Sequence, residues 1–148
     1  MQTYHRLQTI PGVGKILALV LLYEMHDVRR FDHVGQFLSY ARLVRCVHES
    51  AGKKLGSGSK KIGNGYLRWA FAEAACLFLR SSERAKKWKQ KQVAKRGEGK
   101  VLAILAARLA RAVYHLLRKK EAFDEERFWS SGGTKKSQPT KARRKATV

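Results

Sequence analysis

Between His48 and Asn64 the chain gathers three serines, four glycines and four lysines, and no other stretch has this character. A serine hydroxyl is a weak nucleophile that needs a base or a metal to activate it. Attack on a phosphoryl group also needs positive charge near the oxygens that gain it. Lys53, Lys54, Lys60 and Lys61 could supply that charge, and the glycines let the backbone approach another molecule closely. On composition Ser50, Ser57 and Ser59 are all candidates. His48 stands two residues from Ser50, on the same side of an extended chain. A solvated basic connection would have the same composition, so the rest of the chain must decide.

The elements that would position this segment read as helices. Ile10-Pro11-Gly12-Val13-Gly14-Lys15 interrupts a short amphipathic stretch, Thr3–Thr9, and an apolar helical pattern follows at once with Ile16, Leu17, Val20 and Leu21. This is helix, tight turn, helix, and it resembles the helix-hairpin-helix DNA-binding turn. There Gly12, Gly14 and Lys15 would grip a phosphate, although close helix packing would ask for the same glycines. Asp32 is the expected cap of a helix from His33 to about Ala41, buried through Phe37, Leu38 and Ala41. Asn64 is the expected cap of a core helix, 65–80, with Leu67, Ala70, Phe71, Ala74, Leu77 and Phe78 inside. Its N-terminus would favour the same anion as Lys60 and Lys61, which makes Asn64, and Arg68 one turn on, candidate nucleic-acid contacts.

Ser82 should cap a basic helix, 83–95, in which Lys86, Lys87 and Lys89 are candidate phosphate contacts. Only Ala85, Trp88 and Val93 give that helix an apolar side. The clearest periodicity is at 100–119, through Leu102, Leu105, Leu109, Val113 and Leu116. The segment after Phe128 turns polar, with six positive and no negative residues from Ser130 onward, and is expected to be a disordered basic arm. The division is thus a helical domain, 1–128, and a tail, 129–148. The fold class is all-α.

Charge narrows the function. Lys and Arg outnumber Asp and Glu by 32 to 11, for a formal charge of +21, so the leading partner is nucleic acid. The longest apolar run, Ile16–Tyr23, is too short to span a bilayer, and a membrane partner is not expected. Cys46 and Cys76 form no Cys-x-x-Cys pattern; they suit a reducing cytoplasm and read as core residues. His26, Asp27, Asp32 and His33 match no coordination spacing and read as capping or surface groups. No metal site is expected.

Four segments in order carry a family resemblance: Ile10-Pro11-Gly12-Val13-Gly14; Phe31-Asp32 with Phe37-Leu38-Ser39-Tyr40-Ala41; His48-Glu49-Ser50-Ala51-Gly52-Lys53; and Lys61-Ile62-Gly63-Asn64 with Leu67-Arg68-Trp69-Ala70. From about Leu7 to Phe123 the chain is similar to the C-terminal transposase domain of the insertion sequence 110 (116/110/902) family. The resemblance implies a DNA-binding and strand-exchange domain of a site-specific recombinase. Its catalytic residue would be Ser50, forming a covalent phosphoserine link to DNA. It implies DNA partners, both element ends and target, with a guide RNA in some members. It also implies a companion RNase-H-like domain with an Asp-Glu-Asp-Asp metal site, or a homo-oligomer, and a cytoplasmic, nucleoid-associated setting in a bacterium or archaeon. The divalent metal, magnesium, is expected in that other domain and no cofactor in this chain, whose isolated form is expected to be inactive. Ala51 departs from the family, which often has glycine there. The alternative is a non-enzymatic basic helical module that binds DNA or RNA and has no need of Ser50.

Overall fold

In a computed structural model of the chain, the described residues are 1–44, 47–50, 53–57 and 62–130, with backbone alone described for 47–50 and 53–57. The elements run α1 (Gln2–Gln8), α2 (Lys15–Met25), a 3-10 turn (Val28–Arg30), α3 (Val34–Tyr40), β1 (Val47–Ser50), β2 (Lys53–Ser57), α4 (Gly65–Ser81), α5 (Glu83–Arg96), α6 (Glu98–Lys119) and α7 (Glu125–Ser130). The core is helical, and the strands among the described residues form one antiparallel pair, β1 with β2.

The layout follows from two long helices that bury complementary stripes. Along α4, Leu67, Ala70, Phe71, Ala74, Ala75 and Phe78 face inward. Along α6, Leu105, Ala106, Leu109, Ala110 and Val113 meet them, the alanines allowing close approach. Leu77 and Leu102 stand at the edge of this interface, half-buried. α2 packs along α4, α3 against α6, and α5 lies across both long helices. Phe37 is the aromatic hub: its ring lies 5.3 Å from Phe31, 5.9 Å from Phe71 and 6.0 Å from Tyr114. Tyr114 and Arg118 of α6 both donate to the carbonyl of Phe31, at 3.1 and 2.8 Å, which fastens the turn before α3 to the core.

Caps set several of the boundaries. Asn64 Oδ1 accepts from the N–H of Tyr66 and Leu67, at 2.9 and 3.0 Å, and Ser82 Oγ accepts from Ala85 at 3.2 Å, as expected. Asp27 caps the 3-10 turn through the N–H of Arg29. α3 differs from expectation: its cap is His33, whose Nδ1 accepts from Gln36 at 3.4 Å. Asp32 instead exchanges bonds with the Gln36 side chain. Cys76 is half-buried rather than a core residue, and Cys46 lies outside the described residues. Ile16 likewise faces solvent, while Leu17, Ala18, Leu21 and Met25 are buried. α2 is apolar nearly all round, so its sequence does not tell the buried side from the exposed one.

Parts of the Gly-Lys-Ser segment form strand, which its composition does not suggest. Val47 pairs with Ser57, Glu49 with Lys54 and Ser50 with Lys53, antiparallel, with an irregularity between Val47 and Glu49. The alternation that would align His48 with Ser50 is interrupted at that step. Ser59, Lys60 and Lys61, and the tail from 131 to 148, lie outside the described residues.

Candidate nucleic-acid interface

The described residues that flank the hairpin segment on each side, Leu43 and Ile62–Asn64, are bonded to the C-terminal end of α3. On the entry side the N–H of Leu43 donates to the Leu38 carbonyl at 3.0 Å. On the exit side Asn64 N–H donates to the Tyr40 carbonyl at 2.6 Å, and Arg42 donates to the carbonyls of Ile62 and Gly63 at 3.2 and 3.0 Å. Gly63 is needed there: its φ is +109°, and an added Cβ would sit 2.6 Å from the Tyr40 oxygen. Ser50 is the last residue of β1, paired in register with Lys53 at the start of β2.

Asn64 does more than cap. Its Nδ2 donates to Glu24 Oε2 at 2.7 Å and lies 3.4 Å from the Tyr40 hydroxyl, joining α2, α3 and α4 at one corner. The first N–H groups of α4 are thus already met by its own side chain, and a carboxylate stands beside them. Arg68 is exposed one turn further along and is the cation α4 offers at this end. Hydrogen bonding from Arg30, then from Asn64, holds the Tyr40 phenol below its ordinary pKa.

The α1–α2 turn behaves differently at its two glycines. Gly12, at φ +86°, meets the backbone of α4: an added Cβ would lie 2.6 Å from the Leu77 carbonyl carbon and 2.7 Å from the Phe78 nitrogen. That is a packing requirement. Gly14 has open space around it, and it starts α2 without a side-chain cap or an acidic residue in the first turn; Lys15 beside it is exposed. Since α2 and α4 run antiparallel, Gly14 and Lys15 stand roughly a helix length of about 16 Å from Asn64 and Arg68. No single phosphate can reach both.

On α5, Lys86 pairs with Glu83 and Lys89 with Glu98, each at 2.6 Å, and these bonds hold both carboxyls below their ordinary pKa. Lys87 is exposed and, among the described residues, forms no close ion pair, although its charge also acts on Glu83. The expected basic face of α5 is partly neutralised from within the chain.

The residues matching these features have a known counterpart. Residues 4–91 match the family described as Transposase IS116/IS110/IS902. The chain belongs to this transposase family. It is 29% identical over 122 residues to the transposase for insertion sequence element IS1111A of Coxiella burnetii (strain RSA 493 / Nine Mile phase I), covering 80% of this chain and 34% of that protein. It is 28% identical over 117 residues to the transposase for insertion sequence element IS1328 of Yersinia enterocolitica, covering 76% and 35%. The chain spans about a third of the length of these curated relatives. The family match includes the α1–α2 turn, the hairpin and α4, and ends within α5.

Sequence reasoning missed two features. An apolar stripe, Ile16, Leu19 and Tyr23, lies exposed on α2, and Tyr66 and Trp69 lie exposed on neighbouring α4. The i, i+3, i+7 spacing was visible, but nothing local distinguishes an uncovered stripe from a buried one. The second is a cavity between α5, α6 and α7. Among the described residues no three His, Cys, Asp or Glu side chains group closely enough to hold a metal ion, and no helix is long and apolar enough to cross a membrane.

Proposed function

We propose that the chain is the DNA-binding and strand-exchange part of an insertion-sequence transposase, with Ser50 as nucleophile. Family membership across the hairpin carries this reading, and the placement of Ser50 opposite Lys53 supports it. Ser50 Oγ attacks the phosphorus of a phosphodiester. A serine O–P bond forms as the bridging P–O bond to the next sugar breaks, the serine proton is lost, and the departing sugar oxygen takes up a proton. Because one phosphodiester replaces another, a different strand end can reverse the step and complete an exchange. Lys53 and Lys54, with Lys60 and Lys61, supply charge to the transition state. Gly14, Lys15, Arg68 and the α5 lysines Lys86, Lys87 and Lys89 hold the DNA backbone, and a formal charge of +21 draws it in.

Among the described residues no cluster of acids could hold a divalent metal. The metal would be held by a companion domain, in keeping with relatives of which the matched stretch covers only about a third. A homo-oligomer and a guide RNA are the further partners of this reading. The test incubates the chain, with and without a supplied metal-site domain, with labelled element-end DNA on a denaturing gel. A protein–DNA adduct abolished by Ser50→Ala is expected. Salt-sensitive binding with no adduct in either arm would favour the second reading, a basic helical module that binds DNA or RNA without chemistry.

A further inference from the structure

Between α5, α6 and α7 lies a cavity of about 750 Å³, within the range of about 300–1,000 Å³ typical of small-ligand sites. Its floor is one face of α6, where Ile104, Ala112 and Leu116 provide apolar surface; its α5 wall carries the indole of Trp88. Trp129 backs that indole at a ring separation of 5.7 Å, so the wall is fixed before anything binds. Arg108 builds the α7 wall: it donates to the carbonyls of Phe128 and Trp129 at 2.7 and 3.2 Å, and its guanidinium lies over both rings.

The remaining basic side chains have no such employment. Arg96, Arg111, His115 and Lys119 line the same cavity, and none makes a hydrogen bond or ion pair with another described residue. The two carboxylates at the cavity are engaged: Glu121 pairs with Arg127 at 3.0 Å, and Asp124 accepts from the N–H of Glu126 and Arg127 at the start of α7. Arg111, His115 and Lys119 follow one another at four-residue intervals on α6, about 6 Å apart along the axis. That spacing is comparable with successive phosphates on an extended strand.

We propose that this cavity binds one unpaired nucleotide of a single strand, the base against Trp88 and the apolar floor, the flanking phosphates on Arg111, Lys119 and Arg96. This deepens the nucleic-acid reading above and rests on it. A free phosphate would use the cations and leave the indole and floor unmatched. A duplex presents stacked, paired bases that cannot enter a concave site, whereas a strand exchange necessarily passes through unpaired nucleotides. The cavity lies outside residues 4–91 except for its Trp88 edge, so it is separate from the hairpin and the α1–α2 turn.

The test measures affinities of the full chain for labelled single-stranded DNA, single-stranded RNA, a duplex and an abasic strand of equal length. Wild type should prefer the base-bearing single strands to the abasic one, and the DNA and RNA arms identify the source of the strand. Arg111→Gln with Lys119→Gln, both at exposed positions, should weaken single-strand binding by about tenfold and duplex binding by no more than about twofold. Trp88→Leu, checked for folding by its thermal transition, should weaken single-strand binding by about fivefold or more and leave the abasic strand unaffected. Equal losses for single strands and duplex, or an abasic strand bound as well as a complete one, would overturn this site while leaving the nucleic-acid reading standing. Absence of binding to every probe would remove both.

Discussion

Asn64 Nδ2 reaches Glu24 Oε2 at 2.7 Å while the same side chain's Oδ1 caps α4, so one carboxamide joins the helix that follows the hairpin to the end of α2. A residue that reads locally as an ordinary cap is also the pin of a three-helix corner. Its two polar ends have opposite requirements, an acceptor toward α4 and a donor toward Glu24, and asparagine meets both.

Asn64→Ala should therefore lose more than a cap. The cap is worth about 1 kcal/mol, and the half-buried Glu24 is left without its donor, so we expect a loss of about 1.5–3 kcal/mol in urea denaturation. Asn64→Asp keeps the acceptor and sets a second carboxylate beside Glu24. It should fall below wild type at pH 7, and a variant as stable as wild type would show that the Glu24 bond contributes nothing.

The two glycines of the first turn should separate cleanly. Gly12→Ala combines a positive φ with a Cβ 2.6 Å from the α4 backbone, and should destabilise by more than about 2 kcal/mol. Gly14→Ala enters open space and should change stability by less than about 1 kcal/mol. Similar thermal shifts for both would contradict the packing role assigned to Gly12.

These contrasts bear on what the sequence could disclose. Period and caps made α4, α5 and α6 legible: Asn64 and Ser82 stand where they were expected, and Leu105, Leu109 and Val113 face inward. Those signals are local. The hairpin was not legible, since Lys53-Lys54-Leu55-Gly56-Ser57 has little strand propensity and its pairing with Val47–Ser50 is encoded in neither run alone. Asp32 lost the cap of α3 to His33 by one residue, a choice settled by the Gln36 side chain. The cavity depends on α7 folding back through Phe128 and Trp129 onto Arg108, contacts some twenty residues apart that no periodicity encodes. Ser50 itself was singled out by family resemblance, composition having left Ser57 and Ser59 open.

Lys120 ends α6 in the left-handed region, at φ +58°, while the following N–H of Glu121 closes on the Leu116 carbonyl at 3.1 Å. Glycine is favoured at such a position. Lys120→Gly should raise stability by about 0.5–1 kcal/mol despite its greater unfolded-state freedom. A drop in the denaturation midpoint would mean that the lysine side chain contributes something the backbone does not reveal.

His115 should make stability pH-dependent. Burial chiefly, then the charges of Lys119, Arg127 and Arg118, lower its pKa below the ordinary 6.5. As pH falls through that value the unfolded chain takes up the proton before the folded one does, so stability rises with pH across the interval below 6.5. His115→Gln should flatten this part of the profile while leaving stability above pH 7.5 nearly unchanged. An unaltered slope in the variant would assign the pH dependence elsewhere. Anion binding beside His115 should raise its pKa again, visible as an NMR titration shift on adding a single-stranded oligonucleotide.

The most direct measurement is the identity of the residue that carries DNA. Adduct formed with element-end DNA and a supplied metal-site domain would be digested with nuclease and protease, and the nucleotide-bearing peptide sequenced by mass spectrometry. The modification should fall on Ser50, at the end of β1, and no nucleotide-bearing peptide should be recovered from Ser50→Ala. A nucleotide on Ser57 or Ser59, or an adduct that persists in Ser50→Ala, would contradict the assignment of the nucleophile.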